Sequence, residues 1–250
     1  MAASEWINLT ADNVATEHLC CIIRAKNSPP GVEEKRRWLA QRLAEGHVFR
    51  KLDENATVFI EYAPLETAWA PILGERYLYI YCLWVDGAHK GRGYGTALMN
   101  YCLSDARARG MAGVCMLGAK KQKHWLSDQA FAKRFGFEAV DSTADGYELL
   151  ALSLDGTKPH FAPQAKRSAI DGKELTIYYD MQCPYVKKSL ELVARYCGER
   201  DIPVTLICVD SLKKAKALPC VFNNFAVFYG GRFQTVNLLD AAGLKRLLGR

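Results

Sequence analysis

The chain has 250 residues, half of them hydrophobic and 11% aromatic, enough for one large or two medium domains with packed cores. The formal charge of +6 is uneven: residues 173–250 hold 12 Lys/Arg against 7 Asp/Glu, whereas the first 172 hold 21 against 20. These charges alternate in sign and form no aromatic-laced stripe, and no apolar run reaches the ~20 residues of a bilayer span, so neither nucleic acid nor a membrane is expected as a partner.

The opening segment, MAASEWINLT, has no basic stretch leading into an apolar core, so no secretory leader is expected. Trp6–Leu9 reads as a short strand. Thr10 is placed to cap a helix through about Lys26 that carries Val14, Leu19, Ile22 and Ile23. Asn27-Ser28-Pro29-Pro30-Gly31 breaks it, and a second helix is expected over about Glu33–Ala44, ended by Gly46. Strands follow over His47–Leu52 and Ala56–Tyr62, then a long proline-interrupted loop, Ala63–Gly74, suited to shaping a substrate mouth. The aromatic run Tyr77–Val85 reads as a largely buried strand. A glycine-spaced turn, Lys90-Gly91-Arg92-Gly93-Tyr94-Gly95, leads into a helix with Leu98, Cys102 and Ala106 at four-residue spacing. A strand at Gly113–Leu117, a helix at Ser127–Arg134 and a strand pair at Phe137–Val140 and Gly146–Leu152 complete this part.

Residues 155–171 are polar, contain two prolines and show no period, which reads as a linker. Beyond it, Leu175–Tyr179 is a strand, Met181–Tyr185 a turn, and the following helix places Val186, Leu190, Val193 and Cys197 on one face. Pro184 suits the first helical turn, where its missing N–H costs nothing. A strand at Val204–Val209, a short helix at Ser211–Ala217, a hairpin at Phe225–Tyr229 and Phe233–Val236, and a helix at Ala241–Leu248 capped by Asp240 follow. Nine cysteines, an odd number with no C-x-x-C, argue for a reducing cytoplasm and against a disulfide scaffold or a metal site.

A strand, a tight glycine turn and a helix N-terminus together form a cup of backbone N–H groups in positive potential, suited to a phosphate or pyrophosphate. No G-x-G-x-x-G with a downstream acid and no P-loop Gly-Lys-Ser/Thr is present. The arrangement resembles the acyl-CoA loop of the GNAT family of N-acetyltransferases, whose pattern is Gln/Arg-x-x-Gly-x-Gly/Ala: Lys90 stands at the Gln/Arg position, Gly93 and Gly95 at the small ones. The C-terminal element order, with Cys-Pro-Tyr at the first helix and Pro219 at the place of a cis-proline, resembles the thioredoxin/glutaredoxin fold. The combination, including FNNFAVFYGGRF and KKQKHWLSDQAFAKRFGFEAVDS, is similar to the YoaP-like acetyltransferases. The resemblance implies an α/β chain of α+β type. Residues 1–155 would form a GNAT acyl-CoA acyltransferase fold, 156–172 a linker, and 173–250 a small thioredoxin-like domain.

It also implies acetyl-CoA as cofactor, with backbone of Gly91 to Thr96 (through Arg92, Gly93, Tyr94 and Gly95) on its pyrophosphate, and main chain of Leu83, Trp84 and Val85 along its pantetheine arm. Lys90 and Arg92 would either pair with phosphates or stay solvated. The acceptor would be an amine; the 63–74 loop and the aromatic strand favour a small, partly apolar one, with a peptide left open. The family's tyrosine acid falls at Ala132, its frequent asparagine at Trp125, and Tyr77–Val85 holds no carboxylate. Substitutes by type are Tyr81, Tyr79, Cys82 and Tyr147, with His124 also in reach; each tyrosine is equally readable as core. Cys183 precedes a helix, with Lys187 and Lys188 in its first turns, and is either a low-pKa thiol, alone or with Cys220, or a remnant without redox work. Val186 stands where a dithiol motif has its second cysteine. Two alternatives remain open: a thiol-based redox or soft-metal-binding protein that senses acyl-CoA, and a binding module without turnover.

Overall fold

The computed structural model describes residues 6–19, 29–54 and 56–249. Contacts divide them into two units. The first comprises 6–19, Arg36–Ala68 and Ile72–Phe161; the second comprises Pro29–Lys35, Trp69–Pro71 and 162–249.

The first unit is built on a seven-stranded sheet. Its strands are β1 (Trp6–Asn8), β2 (Val48–Leu52), β3 (Val58–Pro64), β5 (Tyr77–Val85), β6 (Gly113–Ala119), β7 (Glu138–Ser142) and β8 (Tyr147–Ser153), in the spatial order β1-β2-β3-β5-β6-β8-β7. All pairs are antiparallel except β5 and β6. A parallel pair needs a long crossover, and α2 (Tyr94–Ala108) supplies it. Alternation along the strands sends Val58, Ile60, Tyr62, Leu78, Ile80, Val114, Met116 and Leu150 to one face. There they meet Leu98, Met99, Cys102, Leu103 and Ala106 of α2, all buried. Each large apolar side chain in this layer contributes about 1.5–3 kcal/mol. Tyr62 is buried in it with its hydroxyl donating to Asp105 Oδ2 at 2.9 Å, and burial pushes its phenol well above the usual range. The helix α1 (Val32–Leu43) starts with Glu33 and Glu34 and ends with Arg42, charges that suit its dipole.

The helix expected from Thr10 is replaced, where described, by successive turns, with Val14 N–H on Thr10 O and Glu17 N–H on Asn13 O, both at 2.9 Å. The Asn13 side chain accepts from Thr10 N–H at 2.8 Å and donates to Asn8 O at 3.1 Å, while the Arg36 guanidinium takes the carbonyls of Val14 and Glu17. Carbonyls diverted to an arginine cannot propagate a helix. Ile22, Ile23 and the Cys20-Cys21 pair lie outside the described residues. The expected loop 63–74 also departs from its reading. Its first two residues extend β3, and β4 (Ile72–Leu73) pairs with β9 (His160–Phe161). The stretch 155–171, read as a linker, carries a strand, and Pro163–Lys166 forms a 3-10 turn.

In the second unit, β10 (Leu175–Tyr179), β11 (Val204–Cys208), β12 (Phe225–Tyr229) and β13 (Arg232–Thr235) form a sheet of order β11-β10-β12-β13. β10 and β11 are parallel, the other pairs antiparallel. The helices are α4 (Val186–Gly198), α5 (Leu212–Lys216) and α6 (Ala241–Leu248). Val186, Leu190, Val193 and Cys197 of α4 and Leu244 and Leu248 of α6 bury against Leu175, Ile177, Phe225 and Val227. Asp240 caps α6 through Gly243 N–H at 2.6 Å. No cis peptide bond occurs among the described residues, so Pro219 does not match a cis-proline. Among the described residues, no helix is long and apolar enough to cross a membrane.

Candidate functional site

β5 and β6 run paired from Tyr77/Gly113 to Ile80/Met116 and then part. On its other edge β5 stays with β3 as far as Val85/Val58, through a bulge. There Ile80 and Cys82 oppose the adjacent Tyr62 and Glu61, and Tyr81 is the extra residue. The bulge changes the phase of the strand. Leu78 and Ile80 before it, and Leu83 and Val85 after it, all pack toward α2, so Tyr79 and Tyr81 point to the opposite face.

A cleft of about 620 Å³ occupies the gap where the strands part. Leu83, Trp84, Val85, Lys90, Gly91, Gly93, Tyr94, Gly95 and Thr96 line it, nine of the ten residues expected from sequence. Arg92 is the exception, its guanidinium standing 5.2 Å from the Tyr94 ring centroid. Met99, Met116, Phe131 and Ala132 add apolar walls, and His89 and Arg134 join Lys90 as basic groups. Ser127 also lines it, its Oγ accepting from Leu83 N–H at 3.0 Å. α2 begins at the cleft with Gly93 as N-cap, φ +83°, with no side-chain cap and no acid in its first turn. A Cβ on Gly91 or Gly93 would meet nothing within 4 Å. By contrast, Asp128 caps α3 (Gln129–Arg134), Ser211 caps α5 and Asp240 caps α6. A bare helix start beside open space has its N–H groups and its dipole directed at the cleft.

The candidate catalytic residues divide. Tyr79 and Tyr81 meet edge to face, 5.0 Å between centroids, and both are buried. Tyr81 also touches Trp38 of α1 at 5.9 Å and the His47 imidazole at 5.1 Å. His47 Nε2 lies 2.9 Å from Glu61 Oε1, with side chains 1% and 2% exposed. Cys82, half-buried, sits opposite Glu61 in the ladder. Tyr147 stands apart, opposite Ala119, with Lys123 Nζ 4.6 Å from its ring centroid. His124 is exposed, and Trp125 is 48% exposed at φ +65°. Ala132, at the place of the missing tyrosine, is a buried core residue that also lines the cleft. Sequence reasoning missed His47, Glu61 and Trp38; a His and a Glu fourteen residues apart carry no local signal, and only the β2–β3 hairpin brings them together.

In the second unit, Cys183 is half-buried and Cys220 fully buried. Val186 N–H donates to Cys183 O at 3.1 Å. Lys187, expected beside the thiol, pairs with Glu34 at 2.8 Å. Burial pushes up the thiols of Cys102, Cys197 and Cys208, which makes them poor nucleophiles.

Residues 13–137 match the acetyltransferase (GNAT) family and residues 203–246 the YoaP-like family. A curated relative from Bacillus subtilis (strain 168), described as uncharacterized N-acetyltransferase YoaP, is 36% identical over 97% of this chain and 98% of its own length. Among solved structures, a GNAT acetyltransferase from Brucella melitensis in complex with acetyl-CoA is 17% identical, covering 64% of this chain and 94% of that one, with a TM-score of 0.41. The PaiA N-acetyltransferase from Thermoplasma acidophilum in complex with coenzyme A is 12% identical, covering 60% and 99%, also with a TM-score of 0.41. The family match over half the chain and the end-to-end relative together make this protein a member of the GNAT acetyltransferase family, of the YoaP-like kind.

Proposed function

We propose that the chain transfers an acetyl group from acetyl-CoA to the amine of a small, partly apolar acceptor, by direct attack. The observation that carries this is the parting of β5 from β6 at Ile80/Met116, with one cleft running from the freed strand edge to the bare N-terminus of α2. The backbone of Gly91 to Thr96 holds the pyrophosphate, aided by Lys90. The strand edge at Leu83–Val85 pairs with the pantetheine amides, which brings the thioester to the point where the strands part. A backbone N–H of this edge other than that of Leu83, which donates to Ser127 Oγ, polarises the thioester carbonyl. Tyr81, the first residue past that point in the strand, and Tyr79 are the proton-transfer candidates. Cys82 lies next to it in the strand, and Tyr147 lies on β8.

The order β11-β10-β12-β13, with one parallel pair and a helix following Cys183-Pro184, supports a thioredoxin-like second domain. Cysteine usage supports a reducing, cytoplasmic setting. Calorimetric titration of acetyl-CoA into the reduced chain tests the donor, and a screen of primary amines tests the acceptor. Micromolar binding with release of CoA to an amine is the expected outcome. Activity that survives with Cys183→Ser separates acetyl transfer from a thiol-based reaction, which that substitution abolishes.

A further inference from the structure

His47 and Glu61 form a buried contact that lies outside the cleft lining. Glu61 comes from β3, between Ile60 and Tyr62, which face α2, so its carboxylate lies on the sheet's other face. His47 immediately precedes β2, and the β2–β3 pairing, Val48↔Tyr62 and Phe49↔Glu61, brings it alongside. The contact is 2.9 Å with both side chains almost fully excluded from water. The Glu61 carboxylate is placed to accept a hydrogen bond from the His47 ring. Around this ring lie Glu61 of β3, Trp38 of α1 at 5.3 Å and Tyr81 of β5 at 5.1 Å. Tyr79 lies beyond Tyr81. The imidazole of the pair thus lies against the ring of the residue extruded by the bulge, the first residue past the point where β5 and β6 part. Burying an ion pair costs several kcal/mol of desolvation that an apolar pair would avoid.

We propose that His47, held by Glu61, is a positioning residue that makes Tyr81 the proton donor to the departing sulfur of the thioester. This rests on the acetyl-transfer reading above. As the amine nitrogen bonds to the acetyl carbon, the C–S bond breaks and the sulfur leaves with its electron pair. That sulfur takes the proton of the Tyr81 hydroxyl. The phenolate left behind is stabilised by the adjacent imidazolium, and it regains a proton from the nitrogen that has become an amide, directly or through water. Neither His47 nor Glu61 touches the substrate.

The test begins without any substrate. The full chain is labelled with [13Cζ]tyrosine and titrated by NMR, and Tyr81→Phe assigns the signal. The proposal expects the Tyr81 resonance to titrate at higher pH in His47→Gln than in the wild type; an unmoved midpoint overturns it. If His47→Gln does not fold, 15N-histidine spectra of the wild type decide the matter. A doubly protonated His47 ring at pH 7 is expected, and a neutral ring overturns the proposal. Among amines accepted in the screen, Tyr81→Phe is expected to lower kcat about 100-fold or more with KM for acetyl-CoA unchanged. Adding His47→Gln to it should lower kcat no further, whereas multiplicative losses overturn the coupling. Acetyl-CoA titration of each variant keeps the two claims apart. Loss of the Tyr81–His47 coupling with binding intact refutes this proposal alone, and absence of binding in the wild type refutes the reading beneath it.

Discussion

Replacing Gly93 tests the glycine cup more sharply than any other single change. The residue is the N-cap of α2 at φ +83°, and a Cβ there would meet nothing within 4 Å. Gly93→Ala therefore adds only the strain of a left-handed conformation, about 1–2 kcal/mol. Gly93→Asp adds the same strain and also a carboxylate at the proposed pyrophosphate cup. Two unit charges about 5 Å apart at an effective dielectric of about 20 repel by about 3 kcal/mol. That is about a hundredfold in Kd. Calorimetry with acetyl-CoA should give a small loss for Gly93→Ala and a loss of about two orders of magnitude for Gly93→Asp, while thermal melts drop by similar amounts in both. Raising the salt concentration should narrow the gap between the two variants. Equal affinities for Gly93→Asp and Gly93→Ala would refute the assignment of phosphate to this cup.

Gly113→Ala should destabilise the first unit by about 1–3 kcal/mol or more. A Cβ at this position would stand 2.5 Å from Tyr77 Cε1 and collide with Leu152 O, neither of which can yield without opening the sheet. Urea unfolding followed by tryptophan fluorescence measures the loss, and an unchanged midpoint would contradict the packing described. His18 is held below its ordinary value of 6.5 by burial and by the neighbouring Lys51. Below that ordinary value the unfolded chain binds the proton more readily than the folded one, so stability should fall as pH drops under about 6.5. His18→Gln should flatten that slope in melts recorded between pH 5 and 8; an identical slope in the variant would dismiss His18 as its source.

Much of this architecture was legible in the chain because its signals are local. Tyr77–Val85, Leu175–Tyr179 and the Asp240-capped helix lie where periodicity and capping chemistry put them. The cleft residues were also legible, because a strand, a glycine turn and a helix start are contiguous in sequence. The departures are non-local. The two-residue pairing of Ile72–Leu73 with His160–Phe161 spans almost ninety positions and leaves no periodic trace. Arg36 captures the carbonyls of Val14 and Glu17 that a helix from Thr10 would need. The bulge at Tyr81 depends on the register of β3, not on the composition of β5, so the face occupied by each strand tyrosine could not be read from alternation alone. The His47–Glu61 contact exists only once that hairpin has folded.

The central claim is that the gap between β5 and β6, together with the start of α2, holds acetyl-CoA. Hydrogen–deuterium exchange of the full chain with and without acetyl-CoA tests it most directly. The account predicts slowed exchange in peptides covering residues 83–85 and 91–96, with residues 203–246 unchanged. Protection confined to residues 203–246, or none anywhere at saturating acetyl-CoA, would contradict it.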